Sequence, residues 1–370
     1  MAIVTNAVNA ANTKSNKIQE EKNALTIRPL FARYPELAKV VDIKSSALLP
    51  TSVEPIAIAP NAWIKRDDLS HTEYGGNKIR KLEFILADAL RKGAKRVVTF
   101  GAIGTNHGVA TAMMCQRFGL QCVIYLFDQP LTATVKKNLK LMQYYGAKLI
   151  YKGSLFNTVL AYYGSRYRLQ SGSYFLFAGG SNLYGTLAFV NAAFELKQQA
   201  DQKLSPLPEV IVCPVGSSAT LAGLSYGFQL LNLPVDVYGV RVAPAKLGPF
   251  AACTPGTVAG LMNEVYGFLK KHLAETLPKP EAAHLVGDYY GEGYGVATTK
   301  GQQAIHLFKE QGILLEQTYT GKAAAAFIDQ LSQRSGPVLF WNTYNSRDMS
   351  QQAGRIEAFQ LPKSLQHFVE

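Results

Sequence analysis

The most informative stretch of the sequence is Ile64-Lys65-Arg66-Asp67-Asp68-Leu69, followed shortly by Tyr74-Gly75-Gly76-Asn77-Lys78-Ile79-Arg80-Lys81-Leu82-Glu83. An extended segment leads into two glycines, which let the backbone turn where a Cβ would clash. A helix follows, because apolar residues recur at helical spacing from Ile79 to Leu90. Asn77 is predicted to be the N-cap, since its side chain can accept a free first-turn N–H. Lys78 therefore lies at the mouth of a helix.

Lys78 is the first candidate for chemistry. A lysine amine is a nucleophile only when it is neutral, and Arg80, Lys81 and the positive helix end should all lower its pKa. The same positive surroundings suit a phosphate. An activated amine beside a phosphate site is what covalent attachment of pyridoxal phosphate requires. The alternative interpretation is a basic first turn on a surface helix, because runs of charge usually face solvent.

Two further segments follow strands and open helices. Residues 101–108 read Gly-Ala-Ile-Gly-Thr-Asn-His-Gly, and their glycine spacing does not match a dinucleotide fingerprint. Residues 215–224 read Val-Gly-Ser-Ser-Ala-Thr-Leu-Ala-Gly-Leu. Their N–H and hydroxyl groups suit a phosphate at a helix N-terminus, although no Gly-Lys-Ser/Thr ending marks a nucleotide loop. An ordinary strand-to-helix turn and a capped helix start are the alternatives.

The rest of the chain alternates short apolar runs with longer helical stretches. Strands are predicted at residues 96–100, 122–127, 148–151, 209–213, 235–242 and 338–341, and helices at 109–118, 132–145 and 155–169. This alternation predicts an α/β fold with parallel sheets covered by helices. Two sheets suit 370 residues better than one open sheet. Residues 1–25 are polar and weakly patterned, so a loose N-terminal arm is expected.

Composition limits the class of protein. Apolar residues make up 48% of the chain and charged residues 17%, which is typical of a globular protein. The net charge of +12 would suit a nucleic-acid partner, but the basic residues are dispersed, so we read it as favouring anionic ligands. The four cysteines lack metal-ligand or Cys-x-x-Cys spacing. We expect a cytoplasmic protein with no metal, nucleic-acid or membrane partner.

Residues 75–83 resemble the cofactor-lysine motif of the family containing D-cysteine desulfhydrase and 1-aminocyclopropane-1-carboxylate deaminase. Further motifs appear in the family's order from about residue 48 to about residue 321. These are fold-type II pyridoxal phosphate enzymes, related to the tryptophan synthase β chain. The resemblance implies two three-layer domains with twisted, mostly parallel sheets, in a homodimer. A small domain of residues 82–187 would be inserted into a large domain of residues 1–81 and 188–370, with the cofactor between them.

The resemblance also implies roles for individual residues. Lys78 would hold pyridoxal phosphate covalently and move a proton, and Thr105, Tyr294 and Tyr319 would be the other catalytic residues. Substrate contacts would come from the same three residues with Asn106 and His107, and Thr105 stands where the family usually has serine. The cofactor would be bound by Lys78, Lys81, Asn106, Gly216, Ser217, Ser218, Ala219, Thr220 and Thr320.

Position 320 separates the two activities. The deaminase has a glutamate there, facing the ring nitrogen, whereas Thr320 matches the desulfhydrase branch. A threonine hydroxyl forms a neutral hydrogen bond, so the ring should be the weaker electron sink that suits β-elimination. We therefore expect a lyase that converts D-cysteine to pyruvate, sulfide and ammonia. The alternatives are 1-aminocyclopropane-1-carboxylate deamination and a non-catalytic pyridoxal-phosphate-binding or nucleic-acid-binding protein.

One segment departs from the family's pattern. Where the family often has His-Thr-Gly-Gly, this chain has Trp341-Asn342-Thr343-Tyr344-Asn345-Ser346. Tyr344 and Asn345 should fill space that glycines leave open. This departure bears on the substrate more than on the cofactor.

Overall fold

The computed structural model describes residues 28–247 and 250–370, so the predicted arm at residues 1–25 lies outside the described residues. Its strands are β1 (Val53–Pro55), β2 (Ala62–Lys65), β3 (Arg96–Ala102), β4 (Gln121–Phe127), β5 (Lys148–Tyr151), β6 (Ser173–Phe175), β7 (Val210–Val215), β8 (Asp236–Arg241), β9 (Lys246–Leu247), β10 (Phe250–Ala251), β11 (His284–Val286) and β12 (Val338–Trp341). Its α-helices are α1 (Pro29–Arg33), α2 (Asn77–Arg91), α3 (Asn106–Arg117), α4 (Ala133–Tyr144), α5 (Leu155–Tyr163), α6 (Leu183–Asp201), α7 (Ala219–Leu230), α8 (Pro255–His272), α9 (Thr299–Glu310), α10 (Thr320–Gln333), α11 (Ser350–Gly354) and α12 (Lys363–Gln366).

The larger sheet has six strands in the order β1-β2-β12-β7-β8-β11. All neighbours are parallel except β1 and β2, which form an antiparallel edge. Strand β7 is buried along its whole length, as a central strand with helices on both faces must be. Its side chains alternate between two cores. Ile211 and Cys213 pack under α6 and α7, and Val210 and Val212 pack under α9 and α10.

The smaller sheet has four parallel strands in the order β5-β4-β3-β6. Helices α2, α3 and α4 cover one face, and α5 covers the other. Each sheet is therefore the middle of a three-layer unit. The predicted α/β class with two mostly parallel sheets is confirmed. The six strands predicted from apolar runs are present, with ends shifted by at most a few residues.

The C-terminal segment packs beside the smaller sheet. Met349, Ala353, Ile356, Leu361 and Leu365 share one buried core with residues of α2, α3 and α4. The inserted domain at residues 82–187 stays a prediction. The C-terminal segment packs onto the same unit as the smaller sheet, although it lies outside residues 82–187 in the sequence.

Helix α2 lies between the two units. Ile79 and Leu82 pack in the core of the smaller sheet, whereas Phe84 packs in a core of the larger sheet. Because α2 contributes to both cores, its first turn is fixed relative to both sheets. None of the helices in the described ranges is long and apolar enough to cross a membrane.

Candidate active site

The turn before α2 is held by the segment after β12. Gly75 N–H donates to Asn345 Oδ1 at 2.7 Å, and Asn77 N–H donates to the Thr343 carbonyl at 3.2 Å. A Cβ on Gly75 would lie 2.0 Å from the Asp68 carbonyl oxygen, and Gly76 has a φ of +97°. Both positions therefore need glycine. Gly75 and Gly76, the pair singled out in the sequence, therefore set the direction in which Lys78 enters the site.

The prediction that Asn77 caps α2 is wrong. Gly76 is the N-cap residue, and Asn77 is the first helical residue. The Asn77 side chain instead reaches across the site: its Nδ2 donates to Thr220 Oγ1 at 3.1 Å, and its Oδ1 accepts from Lys78 Nζ at 2.8 Å. The local preference of asparagine favours a helix cap, but the Asn77 side chain is instead bound by Thr220, which is distant in the sequence. Asn77 thereby links the lysine to the start of α7.

The Lys78 amine is activated by burial. Burial lowers the pKa of Lys78 to about 8, and the carboxylate of Glu316 opposes that shift. The expected contribution of Arg80 is wrong, because the Arg80 guanidinium points away and is neutralised by Asp67 and Glu195. A substantial fraction of the Lys78 amine is therefore neutral near physiological pH, as a nucleophilic lysine requires.

A cavity of about 440 Å³ opens at the carboxyl ends of strands from both sheets. Binding sites of α/β proteins gather at such strand ends. Ala219 is the one predicted site residue outside the lining; it is the buried first residue of α7. The predicted residues that line the cavity are Lys78, Lys81, Thr105, Asn106, His107, Gly216, Ser217, Ser218, Thr220, Tyr294, Tyr319 and Thr320.

The turn from β7 into α7, residues 216–220, has the features of an anion-binding turn, and we call it the anion cradle. Ser218 has a φ of +68°, and no described side chain caps the first turn of α7. The first N–H groups of a helix lack intrahelical partners and attract anions. Lys81 is buried beside this turn, with its Nζ 3.3 Å from the Gly179 carbonyl oxygen. Burial and the charge of Lys78 hold the pKa of Lys81 well below its ordinary value, so a bound phosphate would restore its charge.

In the loop after β3, Thr105 is engaged in a helix cap, whereas Asn106 offers a free donor. Thr105 Oγ1 caps α3 by accepting the Gly108 N–H at 3.2 Å. Asn106 Oδ1 accepts from Tyr74 and Asn138, and its Nδ2 has no hydrogen-bond partner among residues 28–247 and 250–370. That free donor in the cavity wall fits the ring hydroxyl of pyridoxal phosphate.

His107 is held from both ring nitrogens. Its Nε2 lies 3.0 Å from Thr99 Oγ1, and its Nδ1 lies 3.4 Å from Thr111 Oγ1. Burial, with the charges of Lys78 and Lys81, lowers the pKa of His107 to about 3. The imidazole is therefore neutral at physiological pH and offers the cavity its ring carbons rather than a charge.

Two tyrosines form a pair at the cavity wall. The hydroxyls of Tyr294 and Tyr319 are hydrogen-bonded to each other, and their ring centroids lie 5.9 Å apart at 75°. Burial raises the pKa of Tyr294 to about 12 and that of Tyr319 well above its ordinary value. Both hydroxyls therefore keep their protons at neutral pH, so each can donate or accept a hydrogen bond.

Glu316 is the main residue that the sequence did not reveal. Its carboxylate lines the cavity and accepts N–H groups from Thr318, Tyr319 and Thr320 at 2.7–2.8 Å. Burial raises the pKa of the Glu316 carboxyl, although these N–H groups act in the opposite direction. The sequence offered one signal for Glu316, an acidic residue just before a helix start. This pattern is common at helix starts and does not by itself indicate a site.

Residues 341–346, which depart from the family's pattern, also contribute to the site. Tyr344 lines the cavity and is half-buried, and burial raises its pKa to about 12. Asn345 stays behind the site, where it holds the Gly75 backbone. Tyr344 therefore takes up cavity space, whereas Asn345 supports the glycine turn.

The comparisons with known proteins agree with this geometry. The sequence profile of the family described as "Pyridoxal-phosphate dependent enzyme" matches residues 48–343. The chain belongs to this family. Its cofactor is pyridoxal phosphate, and the residues fit that group: the Lys78 amine can hold its aldehyde carbon, the α7 cradle its phosphate, and Asn106 Nδ2 its ring hydroxyl.

Relatives of this pyridoxal-phosphate enzyme include the D-cysteine desulfhydrases of Salmonella schwarzengrund (strain CVM19633) and Salmonella newport (strain SL254). Each is 36% identical over 300 residues, covering 76% of this chain and 85% of the relative. A crystal structure of an ACC deaminase homologue superposes with a TM-score of 0.72 and 28% identity, covering 85% of this chain and 94% of the other. A threonine deaminase from T.th. (TM-score 0.56, 16% identity, 88% and 99% coverage) shares the fold-type II architecture.

Proposed function

We propose that the protein is a pyridoxal-phosphate-dependent lyase that removes the β-substituent of a small D-amino acid, with D-cysteine as the substrate. The observation that carries the proposal is the Lys78 amine, with a lowered pKa, in one cavity with the anion cradle of residues 216–220. Relatives named D-cysteine desulfhydrase, at 36% identity, support the substrate. The products would be pyruvate, sulfide and ammonia.

Each residue of the site has a role in this proposal. The bound cofactor supplies an electron sink for the carbanion formed at the substrate Cα. The Lys78 amine would hold the cofactor, and in its neutral form it would move the proton of the substrate Cα. Lys81 and residues 216–220 hold the phosphate, where backbone N–H groups and a buried ammonium meet one anion.

Substrate recognition is proposed at the start of α3. Thr105, Asn106 and His107 line the cavity there, and the positive end of α3 suits the substrate carboxylate. Tyr294 and Tyr319 line the cavity with protonated hydroxyls, which suits proton delivery to a departing sulfur. Thr105 Oγ1 already accepts a hydrogen bond in the α3 cap, so it is proposed as a positioning residue for the substrate.

Deamination of 1-aminocyclopropane-1-carboxylate is a second candidate function. The Glu316 carboxylate lies 3.3 Å from Thr320 Oγ1, so a carboxylate is present near position 320 after all. The structural neighbour titled an ACC deaminase homologue gives further support. Assaying both substrates with one preparation separates the two activities, because one yields pyruvate with sulfide and the other yields 2-oxobutyrate.

We further propose a homodimer that works in the cytoplasm, with residues 82–187 as its inserted small domain. The four cysteines are free and buried, which suits a reducing compartment. Gel filtration with light scattering measures the subunit number directly.

The test of the proposed function is a comparison of the wild type with Lys78→Ala. The wild type loaded with pyridoxal phosphate should show a visible absorption band that borohydride removes, and should release sulfide and pyruvate from D-cysteine. Lys78→Ala should lose both while keeping its circular dichroism, and Lys309→Ala, an exposed lysine on α9, should keep both. A Lys78→Ala protein with a normal absorption band and normal turnover would refute the assignment of Lys78 as the residue that holds the cofactor. Replacing D-cysteine by L-cysteine tests the chirality.

A further inference from the structure

Acidic residues are almost absent from the part of the chain that builds the smaller sheet. Residues 89–194 contain twelve lysines and arginines but a single acidic residue, Asp128, so they carry +11 of the net charge of +12. They include every strand of the smaller sheet and the helices α3, α4 and α5. The two lysines that line the cavity, Lys78 and Lys81, precede this range. The smaller unit therefore has a positive field that the proposed reaction does not explain.

Helix α5 exposes large apolar side chains to solvent. Phe156 and Leu160 are 64% and 63% exposed, and Leu169, shortly after the helix, is 93% exposed. Phe156 and Leu160 lie one turn apart on the same side of α5. Val159 and Tyr162 lie on the side that is buried against the smaller sheet. Exposed apolar side chains grouped in this way indicate a surface that binds a partner.

Four cations lie beside these apolar side chains. Arg96, Lys148 and Arg166 lie 5.5, 5.9 and 5.5 Å from the centre of the Tyr167 ring. Arg168 follows in the same short helix after α5. Within residues 28–247 and 250–370, none of these four cations forms a salt bridge. Because like charges gathered around one ring repel each other, an anionic partner would stabilise the group.

The combination of apolar and basic side chains favours one kind of partner. In a symmetric contact with a second copy, the same surface would face itself and bring like charges together. A nucleic acid would neutralise the cations, but its bases stack on aromatic rings and have little use for two exposed leucines. An anionic lipid surface suits both groups, since apolar side chains enter the headgroup boundary while cations meet the lipid phosphates.

The α5 surface is defined by three exposed apolar and three exposed basic side chains: Phe156, Leu160, Leu169, Lys148, Arg166 and Arg168. We infer that the α5 surface binds reversibly to membranes that contain anionic phospholipids. The protein would lie on such a membrane without crossing it. The inference goes beyond the proposed function, and it revises the expectation from the sequence that the protein has no membrane partner.

Flotation of the pyridoxal-phosphate-loaded protein with lipid vesicles tests the inference. The wild type should float with vesicles of phosphatidylglycerol and phosphatidylcholine but not with vesicles of phosphatidylcholine alone, and added salt should weaken the binding. The triple variant Phe156→Ser, Leu160→Ser, Leu169→Ser should lower the partition coefficient by at least about tenfold. The double variant Lys148→Gln, Arg166→Gln should also lower it by at least about tenfold, since each cation near the lipid contributes about fivefold.

Two matched controls remove the same kinds of group from other surfaces. The double variant Leu314→Ser, Phe359→Ser removes exposed apolar side chains, and the double variant Lys271→Gln, Lys309→Gln removes two exposed positive charges. Both should bind the anionic vesicles as the wild type does. Circular dichroism of all four variants should match that of the wild type, because every substituted side chain is exposed.

The failing outcomes are distinct. A wild type that does not float with the anionic vesicles would overturn the inference, and so would an equal loss of binding in the control variants. A change of subunit number in the triple variant, measured by light scattering, would show that a second copy covers the α5 surface instead. A single-stranded oligonucleotide that displaces the vesicles, and binds the wild type and the triple variant equally, would identify a nucleic-acid site and overturn the inference as well.

Discussion

The guanidinium of Arg80 and the carboxylate of Asp67 form a two-point ion pair beneath the first turn of α2. Arg80 Nε donates to Oδ2 at 2.9 Å, and its terminal nitrogen donates to Oδ1 at 2.7 Å. Glu195 binds the same guanidinium, and Trp341 Nε1 donates to Asp67 Oδ2 at 2.7 Å. The Asp67 carbonyl accepts the Gly76 N–H at 2.8 Å. The buried network therefore connects α6 and β12 to the turn that carries Lys78.

Replacing Arg80 by methionine should destabilise the protein strongly. Two buried carboxylates, Asp67 and Glu195, would lose a cation, although Lys65 still reaches Glu195 at 2.6 Å. Removing one partner of a buried pair costs about 3–5 kcal/mol. The matched control Arg33→Met removes an exposed arginine bound to Glu275, where the cost is about 1 kcal/mol at most. Urea unfolding of the three proteins measures the difference, and equal midpoints for the two variants would contradict it.

The rate at which the apoprotein takes up pyridoxal phosphate should depend on the pKa of Lys78, which is about 8. Only the neutral amine reacts, so the rate should rise about tenfold per pH unit below pH 8 and level off above it. Nα-acetyl-lysine amide, with an ordinary pKa near 10.4, should continue to rise. Dividing the two rates removes the cofactor's own titration. A ratio that stays constant from pH 7 to pH 10 would show that Lys78 is not activated.

Gly216→Val should weaken cofactor binding while leaving the apoprotein stable. A Cβ at this position would meet Tyr319 Cε1 at 3.4 Å, an ordinary contact, so the backbone tolerates it. The larger valine would enter the anion cradle and push the phosphate from the N–H groups. We expect a loss of at least about tenfold in affinity, or about 1.4 kcal/mol. A fluorescence titration measures it beside Gly256→Val on the exposed first turn of α8, and equal dissociation constants would place the phosphate elsewhere.

Tyr344→Ala should widen the range of accepted β-substituents. Tyr344 lines the cavity where the family's pattern leaves glycine, so its ring limits the space for substrate. The ratio of kcat/KM for S-benzyl-D-cysteine over D-cysteine should rise by at least about tenfold, because removing a pocket wall changes discrimination by about 1–3 kcal/mol. Tyr163→Ala, on an exposed part of α5, should leave the ratio unchanged. A ratio unaffected by Tyr344→Ala would show that the substituent points elsewhere.

Local patterns in the sequence were sufficient for most of the fold. Strands such as β3 and β7 carry enough consecutive apolar residues to be recognised alone. The three-residue strands β1, β6 and β11 were not predicted, because they have no clear alternation. Each exists because a neighbouring strand offers an edge to pair with.

The site residues likewise fall into those that local sequence patterns reveal and those that only the tertiary structure reveals. Lys78, Gly216 and Thr320 lie in motifs that are continuous in sequence, so they could be proposed before the structure. The importance of Glu316 and Tyr344 depends on tertiary proximity, since Tyr344 lies 266 residues after Lys78. Asn77 shows the same limit: its capping preference is local, whereas its actual partner, Thr220, comes from the other side of the cavity.

The packing of residues 349–365 beside the smaller sheet constrains the order in which the chain can fold. Ribosomes release the chain from its amino end, so this segment emerges after every strand of the six-stranded sheet. Until then, apolar side chains of α4 such as Leu139 and Met142 lack part of their cover. The unit built on the smaller sheet therefore cannot finish folding while its own strands are being synthesised. Its last core residues become available only after the strands of the larger sheet have been made.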